Sequence, residues 1–165
     1  MLARLAGQGI VLAPLADELA RRPDCWQEYC RLFNAARQGW PDPDPDPDPD
    51  PGPAPVAALA LTEFRRRYQT AEGQYRPGAA AGFLAVRTGR YVGFTGALGT
   101  GVDPAFRRQG IATALKYRAV LSAREHGVAT LSSSTGNAAM LRANERLGFR
   151  LTSTEVRLVR TVGRR

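Results

Sequence analysis

Residues 106 to 116 read FRRQGIATALK, with Arg107 and Arg108 just ahead of Gly110 and Ala112 and an apolar-periodic run beginning there. A helix that starts at this point exposes main-chain N–H groups with no acceptor and the positive end of its dipole, which together suit an anion. The small Gly110 and Ala112 would let a diphosphate approach the amides of Arg108, Gln109, Gly110, Ile111 and Ala112, with Thr113 closing the first turn. The arginines add long-range positive charge. The plain alternative is an ordinary helix start with exposed charge.

Few other residues offer chemistry. Tyr117 has a titratable hydroxyl, but its place in the first turns of the helix suggests a packing or exposed role. Asp103 precedes Pro104, which points to a turn, and Glu63 and Glu72 have no evident partner site. The single histidine, His126, stands before Gly127 at a helix end, a common place for a cation. Cys25 and Cys30 are five apart and fit neither a disulfide framework nor a four-ligand metal site, so no metal is expected and both read as reduced thiols.

The elements that would position these groups follow from periodicity. GIVLAPLA (9 to 16) reads as a first strand, and the helical spacing after it brings Leu19, Trp26, Tyr29, Cys30 and Phe33 together, with a break or kink at Pro23. Residues 41 to 55, PDPDPDPDPDPGPAP, can be neither helix nor central strand and should form a solvated, disordered polyproline-like loop. A helix follows over 56–71, best formed from Thr62 to Arg67. GFLAVRTGRYVGFTGAL has two apolar runs around TGR, a hairpin signal, and GTGVDP adds a short third strand. The helix from Gly110 to His126 leads to GVATLSSST, read as a buried strand, so residues 99–135 suggest a parallel strand–helix–strand crossover. NAAMLRANERLGF is a second helix, with Asn137 as its cap and Gly148 at the left-handed position after it. RLTSTEVRLVR alternates with period two and reads as a last antiparallel strand.

Size and composition set limits. The 165 residues form one expected domain, 1–165, of 44% hydrophobic content, ordinary for a globular protein. No run approaches the ~18 apolar residues of a membrane span. The first residues are too polar for a secretory signal, with Asp17 and Glu18 arriving early, so a cytoplasmic protein is expected. The net charge is +8, and without the five aspartates of the Pro-Asp tract it would be +13. Such a balance favours polyanions or a phosphorylated ligand. Every basic residue except Lys116 and His126 is arginine, a uniformity that looks like codon bias, so the charge decides little.

TGVDPAFRRQGIATALK followed by LSSSTGNAAMLRANERLGF resembles the acetyl-CoA-dependent N-acetyltransferases of the GNAT superfamily. Their phosphate pattern, Arg or Gln, two residues, Gly, one residue, then Gly or Ala, is filled by Arg107, Gly110 and Ala112. The match runs over residues 99–150, about a third of the chain. The resemblance implies an α/β fold with a mixed, centrally splayed sheet: strand, two helices, three strands, helix, strand, helix, strand. It implies acetyl-CoA as cosubstrate, bound by Gly101, Val102, Arg107, Arg108, Gln109, Gly110, Ile111, Ala112, Thr113 and Asn137. Main-chain groups of Gly101 and Val102 would pair with the pantetheine arm, and Val102 N–H would serve as oxyanion donor. The reaction implied is direct attack, without an acyl-enzyme, by an amine of a small-molecule acceptor, with a peptide or protein N-terminus left open.

Many family members carry a tyrosine acid seven residues after the helix-opening asparagine. Here that place holds Asn144, which has no titratable proton but can orient a sulfur, water or substrate. The spacing resembles a mycothiol-synthase-like sub-branch. No Asp or Glu lies in the strands from 82 to 102 where a base often sits, and the connection near Gly99 is shorter than usual. Two rivals stay open: a catalytically silent CoA-binding or regulatory module, and a basic nucleic-acid-binding domain, for which no recognition-helix pattern is present. A homodimer is left open, and no nucleic-acid or membrane partner is expected.

Overall fold

A tight hairpin organises the sheet. Thr88 and Gly89 both have positive φ, +48° and +73°, the backbone of a two-residue turn whose twist matches its strands. The computed structural model describes residues 1–38, 57–72 and 82–154. The Asp-Pro loop of 41–55 and most of the last strand, from residue 155 on, lie outside the described residues.

In chain order the elements are α1 (Leu2–Gly7), β1 (Ile10–Pro14), α2 (Leu15–Arg21), α3 (Cys25–Arg37), α4 (Leu61–Glu72), β2 (Phe83–Arg87), β3 (Arg90–Gly96), β4 (Gly99–Val102), a 3-10 turn (Pro104–Phe106), α5 (Ile111–Glu125) and α6 (Ala138–Arg146). The sheet runs in the order β1-β2-β3-β4, antiparallel throughout. A bulge between Ala85 and Val86 shifts the β2–β3 register. The protein is thus an α/β fold with helices on both faces of its sheet.

Pro23 separates α2 from α3. Arg22 before it is extended (φ −125°, ψ 112°), as the clash with a proline ring demands, so the segment divides into two helices. On one face α3 and α4 bury an aromatic cluster in which Tyr29 meets Phe64 edge-on at 5.0 Å and Phe94 at 5.4 Å. Each such pair adds about 1 kcal/mol beyond its area burial. Asn34 holds the approach to α4: its Oδ1 accepts from Leu59 N–H (2.9 Å) and its Nδ2 donates to Leu59 O (3.0 Å). On the other face α5 sets Ile111, Ala114 and Leu115 against Phe83, Ala85, Val92 and Val102. Gly93 permits that closeness, since a Cβ there would lie 2.8 Å from Ile111 Cγ2 and 3.1 Å from Leu115 Cδ1.

The helix expected over 56–71 begins only at Leu61, residues 57–60 being non-helical, and three further differences follow. Leu2–Gly7 forms a helix that no periodicity announced, anchored by the buried Leu5. Residues 128–135, expected as a parallel fifth strand, join no ladder and are mostly exposed, with Leu131 at 38%. From Ser132 to Thr135 the run is polar and offers little area to bury. The β4 carbonyl that a neighbour would need, Val102 O, already accepts from Arg107 Nε at 3.4 Å. Residues 150–154, the start of the expected last strand, are likewise unpaired in any ladder. Among the described residues no helix is long and apolar enough to cross a membrane.

Candidate functional site

The turn from β4 into α5 is bent by local residues. Asp103 Oδ1 accepts from Ala105 N–H (3.0 Å) and opens the 3-10 turn, while its Oδ2 pairs with Arg90 at 3.0 Å, the turn role its position before Pro104 suggested. Arg108 then adopts φ +62° and Gly110 φ +85°, so the chain reverses twice within three residues. Gly110 caps α5 with no side chain, and the first intrahelical bond runs from Ala114 N–H to Gly110 O at 3.0 Å. The N–H groups of Ile111, Ala112 and Thr113 therefore precede any intrahelical acceptor. Among the described residues beyond its chain neighbours, nothing lies within 4 Å of where a Gly110 Cβ would stand, so none of them closes the approach to these amides. Arg108 and Gln109 sit on the rim of that opening by sequence, with Arg108 exposed and Gln109 half-buried.

Arg107 behaves differently from Arg108. Its Nη2 donates to Ala36 O (3.1 Å) and Gln38 O (3.2 Å), and its own N–H donates to Pro104 O at 3.4 Å. The side chain is turned toward the end of α3.

The β4 ladder decides which main-chain groups face outward. Asp103 N–H donates to Val92 O at 3.0 Å, so Val92 and Asp103 form a hydrogen-bonded pair. Antiparallel pairs alternate, which makes Gly93–Val102 a non-bonded pair and Phe94–Gly101 a bonded one. Val102 thus turns its N–H away from β3, whereas the main chain of Gly101 faces Phe94. The expectation that both residues present free main-chain groups narrows to Val102. Gly101 matters instead through its missing side chain, which admits Phe94 and Ala36.

Asn137 heads α6, where its Oδ1 accepts from the N–H groups of Ala139 (2.9 Å) and Met140 (3.1 Å). At the other end Gly148, φ +87°, lets Phe149 N–H reach Asn144 O at 3.1 Å and Gly148 N–H reach Glu145 O at 2.9 Å. Asn144 itself is buried, 4% exposed; its Nδ2 donates to Ser133 Oγ at 3.4 Å, and its Oδ1 is buried with no hydrogen-bond partner. Lys116 Nζ donates to the same Ser133 Oγ at 3.0 Å and lies 5.8 Å from the Phe149 ring centre. Burial holds the Lys116 ammonium below its ordinary pKa. Nothing in the spacing of the sequence announced this Lys116–Ser133–Asn144 chain.

Residues 26–149 match the acetyltransferase (GNAT) family. This chain belongs to that family. No curated protein matches it. Among solved structures it is similar to the ribosomal-protein-S18-alanine N-acetyltransferase of Escherichia coli, at 17% identity over 87% of this chain and 79% of that one, TM-score 0.57. An N-acetyltransferase from Staphylococcus aureus Mu50 gives 16% identity, 86% and 82% coverage, and TM-score 0.58. An acetyltransferase of Trypanosoma brucei gives 18%, 91% and 97%, and 0.51. At these identities the likeness establishes the fold.

Within this acetyltransferase fold two of the other titratable candidates, Glu63 and His126, are held by neighbours. Glu63 is held at about 2 by hydrogen bonds from Arg66 and then Arg67, which makes it a poor proton acceptor at neutral pH. His126 Nδ1 donates to Ser122 O at 2.7 Å at the end of α5. Tyr117 is 37% exposed. Carboxylates do reach β3, although none lies in its sequence: Glu28 Oε1 accepts from Tyr91 N–H (2.7 Å) and Glu18 Oε2 accepts from Tyr91 OH (2.8 Å). They come from α3 and α2, so only long-range packing brings them there. Cys25 and Cys30 are free and buried, and burial raises both thiols above their ordinary pKa. A cleft of about 600 Å³ follows α3 along Gln27, Cys30, Arg31, Asn34, Gln38 and Leu61. Its lining includes none of the α5 residues, although Gln38 at its end accepts from Arg107.

Proposed function

We propose that this chain transfers an acetyl group from acetyl-CoA to a primary amine, of a small-molecule acceptor, by direct attack. The observation that carries the reading is the N-terminus of α5, with Gly110 at φ +85° and, among the described residues beyond its chain neighbours, no atom within 4 Å of its would-be Cβ. Amides from Arg108 to Thr113 are the groups that would hold the diphosphate, with Arg108 adding charge and Asn137 closing the far side. The buried, partnerless Asn144 Oδ1 also suits a ligand, because such an atom ordinarily finds a donor.

Acetyl-CoA supplies an acetyl group already activated as a thioester. The acceptor must arrive as a free amine, and its proton passes to water. Val102 N–H, turned outward from β3, is the donor assigned to the carbonyl oxygen as negative charge grows on it. Asn144 orients the reacting groups and cannot itself give a proton to the leaving thiolate.

The direct test is calorimetric titration with acetyl-CoA, followed by a panel of amines with thiol release as readout. Absence of binding removes the reading. Binding without thiol release from any amine identifies a catalytically silent CoA-binding module instead. Asn144→Ala is expected to lower kcat roughly tenfold, the scale of one hydrogen bond, and to leave the Kd of acetyl-CoA within twofold. An equal change in both would withdraw Asn144 from the chemistry.

A further inference from the structure

We propose that Arg107 is a positioning residue, which fastens the end of α3 to the turn bearing the anion-binding amides so that the two move as one body. α3 spans Cys25–Arg37, and its last carbonyls have no partner within the helix. Arg107 reaches across the chain to two of them, with Nη2 at 3.1 Å from Ala36 O and 3.2 Å from Gln38 O. A cation at a helix C-terminus also opposes the negative end of the dipole. Its Nε donates to Val102 O at 3.4 Å, so one planar guanidinium joins α3, β4 and the α5 turn.

The surroundings favour this role over phosphate binding. Among the described residues Arg107 makes no ion pair, and the partners of its guanidinium there are main-chain carbonyls. Its backbone is extended (φ −65°, ψ 162°), and the left-handed Arg108 follows at once. A turn with such a backbone persists only where its neighbours hold it, and Arg107 is the neighbour tied down by four hydrogen bonds when its own N–H is included. Ala36, whose carbonyl accepts from the clamp, also packs where a Gly101 Cβ would stand, so the same point of α3 is pressed to β4. Lysine cannot replace this geometry, because its ammonium is a point charge without the planar fork.

The clamp is tested first on the protein without ligand. Hydrogen–deuterium exchange would be followed at Gln38 N–H, which bonds Ala35 O, and at Ala114 N–H, which bonds Gly110 O. R107A and R107K are both expected to speed exchange at these two amides about tenfold, while R108A leaves them unchanged. Unchanged exchange in R107A, or full recovery in R107K, overturns the proposal. Should R107A fail to fold, R107Q with its single fork of donors is read by the same criteria.

The second arm rests on the acetyl-CoA reading. In calorimetry R107A should weaken acetyl-CoA and a phosphate-free pantetheine thioester by the same factor, about three- to tenfold, because the whole turn loosens. R108A should weaken only the phosphate-bearing ligand. A loss in R107A confined to acetyl-CoA, with exchange at Gln38 untouched, would make Arg107 a direct phosphate ligand and sink the positioning role. If the wild-type chain binds no acetyl-CoA, the functional reading fails while the exchange result still decides the clamp.

Discussion

Gly110→Asp is expected to abolish useful acetyl-CoA binding, raising Kd at least about 100-fold, while the positive φ costs the fold only about 1–2 kcal/mol. Aspartate is among the few side chains that visit positive φ at all. Its carboxylate would accept from the same N–H groups that otherwise await a diphosphate, and would add a fixed negative charge at the mouth of the turn. A 100-fold loss corresponds to about 2.8 kcal/mol, the scale of displacing charge-assisted hydrogen bonds. Gly110→Asn, equally tolerant of positive φ but neutral, should fall between. Calorimetry supplies the Kd and a thermal melt supplies the stability. Unaltered affinity in a folded Gly110→Asp would mean that these amides do not bind the cosubstrate.

Gly101→Ala should produce the largest loss of stability from a single methyl group. The new Cβ would lie 2.5 and 2.6 Å from Phe94 ring carbons and 2.8 Å from Ala36 Cβ. Phe94 cannot step aside, since it is fully buried against Tyr29 and Phe33. Overpacking of this kind costs about 3 kcal/mol, and for a chain of this size Tm falls roughly 2–4 °C per kcal/mol, hence about 6–12 °C. Adding Phe94→Leu to the variant should restore part of the loss, a coupling that independent sites would not show. A melt lowered by less than about 2 °C would show that β4 yields easily, and with it the outward setting of Val102.

These two glycines also mark what the amino-acid order discloses. Gly110, the Asn137 cap and the Gly148 turn were legible because each is settled within about four residues: a small residue at a positive φ, or a side-chain oxygen reaching N–H groups two and three ahead. The TGR hairpin was legible for the same reason. Asn144 stood out by its offset from Asn137, but its partner Ser133 lies 11 residues back and was not foreseen. The direction of Arg107 was hidden because the carbonyls it serves are 69 and 71 positions away. Glu18 and Glu28 reach Tyr91 over 73 and 63 positions, so the strands of 82–102 looked devoid of carboxylates when two were pointed at them. The expected strand at 127–135 failed on a different ground: its polar half, from Ser132 to Thr135, had little to bury.

The two thiols make the molecule its own stopwatch. Cys25 is wholly enclosed, so an alkylating reagent can reach it only when the elements that cover it open. Cys30, 6% exposed, has its Sγ 3.5 Å from Leu59 O, the carbonyl that Asn34 also grips. Modification at Cys30 would therefore count the moments when that short stretch lifts from α3, and modification at Cys25 the rarer opening of the elements over it. The ratio of the two labelling rates separates local breathing from global opening without any engineered probe.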